Sequence, residues 1–139
     1  MPKYSAGGKK GVHLLHKEQL TLVEGGMPYQ VQVSVSLIGD DLAVMVCGGN
    51  KPHVGAVAVS IPRPSLDDPH VISSTTSVFA LVGHKEDELA KKMAGKLASA
   101  LNRKVVLTAG IHVDNITTKG IREIENNCSK VLEQLLKQL

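Results

Sequence analysis

The hydrophobic period changes once along this chain, and that change decides the fold class. Up to about residue 82 the apolar residues recur every second position. From residue 86 they recur every third or fourth, with one strand-like interruption. A period of two puts alternate side chains on opposite faces of a strand, and a period near 3.6 lines one face of a helix. Strand-forming segments come first and helices later, which is the order of an α+β domain rather than of repeated βαβ units.

The cleanest alternation is Tyr29 to Leu37, with Val31, Val33, Val35 and Leu37 on one face and Gln30, Gln32, Ser34 and Ser36 on the other. Gln19 to Val23 alternates before it, with Gly25-Gly26 as the turn, and Gly39-Asp40-Asp41 makes the next hairpin. Leu42 to Cys47 is apolar throughout and is expected to be buried on both faces. Val54 to Ile61 forms another strand. Pro62 to Pro69 is expected to be a surface loop because its three prolines cannot donate to a ladder. A further strand runs from about Ser73 to Val82.

Glu86-Asp87-Glu88 places acids at the start of a helix, where the dipole favours them. Leu89, Met93, Leu97 and Leu101 continue that helix beside Ala90, Ala94 and Ala98, and Asn102 is a plausible stop. Lys104 to Val113 is a strand. Thr117 or Thr118 caps a last helix, whose stripe runs Ile121, Ile124, Cys128, Val131, Leu135 and Leu139, widened by Leu132 and Leu136. That stripe fits either the chain's own sheet or a second copy. The expected fold is an antiparallel/mixed β-sheet of about six strands with two main helices on one side. Residues 16–139 form a single domain behind a flexible basic N-terminal arm, residues 1–15.

Composition narrows the function. The net charge of +3 comes from Lys3, Lys9, Lys10 and Lys17, since 12 basic residues face 13 acids from Glu18 onward. A nucleic-acid reader shows a clustered basic stripe instead. With two Tyr, one Phe and no Trp, the chain lacks the aromatic platforms on which single strands stack. Cys47 and Cys128 make no CxxC and read as small buried hydrophobes of a reducing compartment. No apolar stretch nears the roughly 18 residues that span a bilayer. A cytoplasmic location is expected.

If the strands near 71–82 and 104–113 are parallel in one sheet, their carboxyl ends share an edge. An antiparallel strand from Val54 would start there too. Gly48, Gly49, Asn50, Lys51 and His53 would then meet Gly83, His84 and Lys85, and His112, Asp114 and Asn115. This is an anion-binding constellation: a helix N-terminus with free N–H groups after Gly83-His84, charge from Lys85, and Gly48-Gly49 allowing close backbone approach. Read singly, the same glycines are ordinary hairpin and strand-to-helix turns. Zn²⁺ binding by three histidines and Asp114 lacks any short ligand spacing. A Cys47–His53 nucleophilic pair is disfavoured because Cys47 ends an apolar strand.

Three strings in this order resemble a known family: Gly48-Gly49-Asn50-Lys51-Pro52-His53-Val54-Gly55-Ala56, Val82-Gly83-His84-Lys85-Glu86-Asp87-Glu88 and Ala109-Gly110-Ile111-His112-Val113-Asp114-Asn115. They are similar to the small D-type subunit associated with gallate decarboxylase, from about His16 to the C-terminus. The resemblance implies a fold like that of the small proteasome assembly chaperones, which form dimers. It implies a non-catalytic chaperone that binds prenylated flavin mononucleotide (FMN), or ordinary FMN. Such a carrier takes its cargo from the flavin prenyltransferase and serves a UbiD-class decarboxylase, with no metal. Gly83, His84 and Lys85 would hold the phosphate. Gly48, Gly49, His53, His112, Asp114 and Asn115 would face the ring system or ribityl chain, with Lys51 beside them. A homodimer is expected. The alternatives are an assembly or interaction factor without ligand, and a small His-based metal-binding protein or enzyme.

Overall fold

The computed structural model describes residues 19–81 and 86–139. The arm expected over residues 1–15, and Gly83, His84 and Lys85, lie outside them. The element order is β1 (Gln19–Glu24), β2 (Val31–Ile38), β3 (Asp41–Gly49), β4 (Ala56–Pro64), β5 (Ile72–Ala80), α1 (Glu86–Leu101), β6 (Val105–His112) and α2 (Thr118–Gln138). The six strands form one mixed sheet in the order β1-β2-β3-β6-β4-β5. β6 therefore enters the middle of the sheet, parallel to β3 and antiparallel to β4. β4 is antiparallel to β5 as well, so β5 and β6 run in the same direction with β4 between them.

Local chemistry sets the boundaries. Gly39, at φ 60, opens the two-residue turn between Ile38 and Asp41, a position where only a residue without Cβ enters freely. Asn102 ends α1 with φ 52, the left-handed stop that its sequence position implies. Thr117 caps α2, its hydroxyl accepting from the Gly120 N–H at 3.1 Å.

Both helices pack on one face of the sheet. Val31, Val33 and Val35 of β2, Leu42, Val44 and Val46 of β3, and Val105, Leu107 and Ala109 of β6 meet Ala90, Ala94, Leu97 and Ala98 of α1 and Val131 and Leu135 of α2 in one aliphatic core. Each of the larger buried side chains removes apolar surface worth about 1.5–3 kcal/mol. α1 lies over β4, β5 and β6, and α2 over β1 and β2. The stripe of α2 is therefore used mainly on the chain's own sheet. Gly95 brings α1 close to β5: a Cβ there would stand 3.3 Å from both the Ser74 and Thr76 hydroxyls, and the Ser74 hydroxyl donates to the Gly95 carbonyl at 3.1 Å.

Three expectations from the sequence need correction. β3 is not buried on both faces: Leu42, Val44 and Val46 face the helices, whereas Met45 is 57% exposed. No layer covers the second face among the described residues. Cys47, on that second face, is accordingly half-buried, while Cys128 is buried. The strand expected from Val54 to Ile61 starts at Ala56 and continues through Pro62-Arg63-Pro64, so two of the three loop prolines lie in β4. Beyond Ser60 that strand pairs only with β5, because its pairing to β6 stops at Val105. A residue without an N–H is tolerated where one side of a strand is open.

The uncovered face has its own order. One cross-strand row runs Thr21, Ser34, Met45, Thr108, Val57 and Phe79 across all six strands. The next runs Gln19, Ser36, Ala43, Val106, Val59 and Ser77.

Candidate functional site

The parallel pairing of β3 with β6 places Gly49 opposite His112. The loop after β3 is tied to the end of β6: the Asn50 N–H donates to the His112 carbonyl at 2.7 Å, and the His53 N–H donates to the Gly110 carbonyl at 3.4 Å. The Asn50 side-chain oxygen accepts from the Asp114 N–H at 3.1 Å. Gly49, Lys51, His53, His112, Asp114 and Asn115 are thus gathered at one end of the sheet, where strand order alone had put them.

Their side chains fall into two separate polar groups, one of them a trio around Asp114. The His112 Nε2 lies 3.0 Å from the Asp114 Oδ1, and the Lys51 Nζ lies 3.6 Å from the same oxygen. The hydrogen bond from His112, followed by the Lys51 charge, lowers the Asp114 carboxyl below the ordinary carboxylate range. All three side chains are substantially exposed, so the cluster orders the loop more than it stabilises the fold. Asn115, at φ 53, takes the left-handed turn that follows.

His53 turns to a different partner. Its Nδ1 lies 2.9 Å from the Lys51 carbonyl oxygen, and its Nε2 lies 3.1 Å from the Glu86 Oε1. A carbonyl only accepts, so the contact to Lys51 has Nδ1 as its donor. With both ring nitrogens engaged, none is left for Cys47. Glu86 is only 9% exposed, and its Oε2 has no hydrogen-bond donor among the described residues. Glu86 was legible in the sequence only as an acid of the first helical turn. Gly55 makes room for the pair, since a Cβ there would come within about 3.0 Å of the Glu86 carboxyl carbon and 3.1 Å of the His53 Nε2.

Gly48 and Gly49 are glycine for reasons internal to the fold. A Cβ on Gly48 would collide with the Gln30 carbonyl oxygen at 2.0 Å, and one on Gly49 with the His112 carbonyl oxygen at 2.1 Å. The space that a side chain on these two residues would take is filled by the chain's own backbone.

A ligand-sized space lies on the inner side of the cluster. A cavity of about 660 Å³ opens between α1, the end of β6 and α2. Leu89, Met93, Ile111, Ile121, Ile124 and Leu132 form its apolar walls. Glu86, His112 and Asn115 line it on the loop side, and Lys92 and Lys96 come from α1. Among the described residues no Phe, Tyr or Trp lines it. Binding sites for small molecules have this character, at roughly 300–1,000 Å³, with apolar walls and a few polar groups. Cys128, also in the wall, has its thiol pushed up to about 12, first by burial and then by the charge of Glu125. It is an inert wall atom at neutral pH. Sequence reasoning placed Met93 on the apolar stripe of α1, and Ile124 and Leu132 in the stripe of α2 that fits the chain's own sheet or a second copy. The available signal was the width of the last helix's stripe, broader than one sheet contact requires.

Among the described residues no group of three or more His, Cys, Asp or Glu side chains is arranged to hold a metal ion. None of their helices is long and apolar enough to cross a membrane.

Comparison with known proteins agrees with this fold. The yeast chaperone complex for 20S proteasome assembly contains a chain of the same fold. It superposes with a TM-score of 0.56 over 86% of this chain and 94% of that one, at 16% identity. Protein LpdD of Lactiplantibacillus plantarum is 33% identical over 93 residues, which make up 67% of this chain and 65% of that protein. The matched stretch thus falls just short of two-thirds of the relative's length. Residues 25–139 match the model of the prenylated flavin chaperone LpdD-like domain, a chaperone family rather than an enzyme family. That match takes in every strand after β1, both helices and the walls of the cavity, and by it the chain belongs to the prenylated flavin chaperone LpdD-like family.

Proposed function

We propose that this chain is a carrier for prenylated FMN: it receives the molecule from the flavin prenyltransferase, holds it without reacting with it, and releases it to an apo-decarboxylase of the UbiD class. The observation that carries this reading is the aliphatic cavity of about 660 Å³ beside His112 and Asn115 in a domain of this family. A prenylated flavin presents more apolar surface than FMN itself, and the walls from Leu89, Met93, Ile121 and Ile124 suit it. Glu86, His112 and Asn115 offer polar contacts to a heterocycle or a ribityl chain. Gly83, His84 and Lys85 are assigned to the phosphate, directly before α1. Without an aromatic clamp the ring is held by aliphatic walls and histidine alone, which suits cargo that must leave again. On this reading the protein works as a homodimer in the cytoplasm.

The test is to purify the protein from cells that make prenylated FMN and to record the visible spectrum and the mass of what it releases on denaturation. The expected result is a flavin chromophore that travels with the protein and restores activity to an apo-decarboxylase. Colourless protein from such cells, with no flavin released, overturns the reading.

A further inference from the structure

β5 is an edge of the sheet that carries none of the usual protections. Among the described residues it pairs with β4 alone. Edge strands are commonly short, bulged, charged or broken by proline, which keeps other chains from pairing with them. β5 is nine residues long, pairs with β4 in unbroken register, and has no charged residue and no proline. β1, the opposite edge, has six residues and ends on Glu24. The ladder shows which backbone groups of β5 are open. The Leu81 N–H donates to the Gly55 carbonyl at 2.8 Å, and the Ser65 N–H donates to the Val71 carbonyl at 2.7 Å. Both pairs continue the β4–β5 register, so the odd-numbered residues bond inward. Ile72, Ser74, Thr76, Val78 and Ala80 then turn their N–H and C=O groups outward.

A groove of about 480 Å³ adjoins this strand on the helix side. Ser74 and Thr76 line it from β5, and Lys91, Lys92, Lys96 and Ser99 from α1. Glu88 is its one acid among the described residues. We propose that β5 and this groove receive an extended acidic segment of another protein, which pairs with the β5 edge as a seventh strand and turns alternate carboxylates toward the lysines. Side chains of an added strand alternate between the two faces of the sheet, so every second one meets α1. The spacing agrees. Lys92 and Lys96, four residues apart on a helix, are separated by about 6 Å along its axis, and alternate residues of a strand by about 6.6 Å. Charge selects the occupant. The chain's own first 18 residues offer Lys3, Lys9, Lys10 and Lys17 against Glu18 alone, and a second copy of β5 brings no acid. Either would leave the lysines of the groove unmatched. Lys92 and Lys96 also line the cavity between α1 and α2, so the docked segment lies at the rim of that cavity.

The probe is a fluorescein-labelled peptide, Thr-Glu-Val-Glu-Val-Glu-Thr, blocked at both ends, titrated with the full chain and followed by anisotropy. Saturable binding is expected at about 50 mM salt, with at least a tenfold loss at about 0.5 M, where exposed charges are screened. The same peptide with Lys in place of Glu should not bind. Lys91 is exposed and lines the groove but not the cavity, so Lys91→Glu should fold normally and weaken binding roughly fivefold or more. Hydrogen exchange at the Ser74, Thr76 and Val78 amides should slow in the complex, because a paired strand covers them. Absence of saturable binding by the Glu peptide overturns the inference, as does equal binding by the Lys peptide or by Lys91→Glu. Exchange at Ser74, Thr76 and Val78 that bound peptide leaves unchanged overturns it too, by placing the contact off the β5 edge. The inference does not depend on the identity of the cargo. A protein that binds flavin but no acidic peptide defeats this inference alone, and the reverse result defeats the carrier reading alone.

Discussion

His53 holds Glu86 across 33 residues of sequence: its Nε2 stands 3.1 Å from the Glu86 Oε1, at the first residue of α1 and in the wall of the cavity. The pair ties the loop after β3 to the helix that carries Leu89 and Met93. Glu86 is buried, so it depends on this one donor among the described residues.

His53→Ala is therefore expected to destabilise the protein by about 1–3 kcal/mol, the cost of leaving a buried polar group unsatisfied. Glu86→Met in the same background should restore most of the loss, because it removes the stranded carboxyl. Urea unfolding of both single variants and the double variant gives the coupling. Strictly additive changes would show that the pair is not energetically linked.

Gly110 is the tightest point of the same end of the sheet. A Cβ there would lie 1.8 Å from the His53 carbonyl oxygen, whereas one on Gly26 would meet nothing within 4 Å. Gly110→Ala should cost about 1–3 kcal/mol or more through forced separation of β6 from the loop. Gly26→Ala should be near neutral. Equal thermal midpoints for the two variants would contradict the packing described here.

The Asp114 carboxyl supplies a pH-dependent contact. Its folded-state pKa is lowered, first by the His112 hydrogen bond and then by Lys51, so the contact is present above the ordinary carboxylate value of 3.8 and is lost as pH falls through the lower folded value. Carboxyl NMR should show Asp114 titrating below 3.8 in the wild type. His112→Ala should raise that midpoint more than Lys51→Ala does. A midpoint unmoved by His112→Ala would contradict the assignment.

Much of this fold was legible because its signals are local. Val31, Val33 and Val35 alternate in sequence and are buried together in the structure. Asn102 and Thr117 end and begin helices where their side chains permit. The gathering of Lys51, His53, His112 and Asp114 at one edge followed from strand directions alone, while Gly83, His84 and Lys85 lie outside the described residues. What was not legible depends on partners distant in the chain. Pro62 and Pro64 belong to a strand only because β6 ends its pairing at Val105. Met45 is exposed only because both helices choose the other face. That Gly48 and Gly49 have no room for a side chain depends on Gln30 and His112, which fill the space a Cβ would take. Glu86 carries no mark in the sequence that separates it from Asp87 and Glu88.

The central claim is that the cavity between α1, β6 and α2 holds the flavin. The most direct measurement is an equilibrium titration of the full chain with prenylated FMN and with FMN, in the wild type and in Ile124→Trp, which fills the cavity from α2. The account predicts saturable binding of prenylated FMN to the wild type, weaker binding of FMN, and at least a tenfold loss in the folded variant. Saturable binding of equal strength in the wild type and Ile124→Trp, or no binding to the wild type at all, would contradict it.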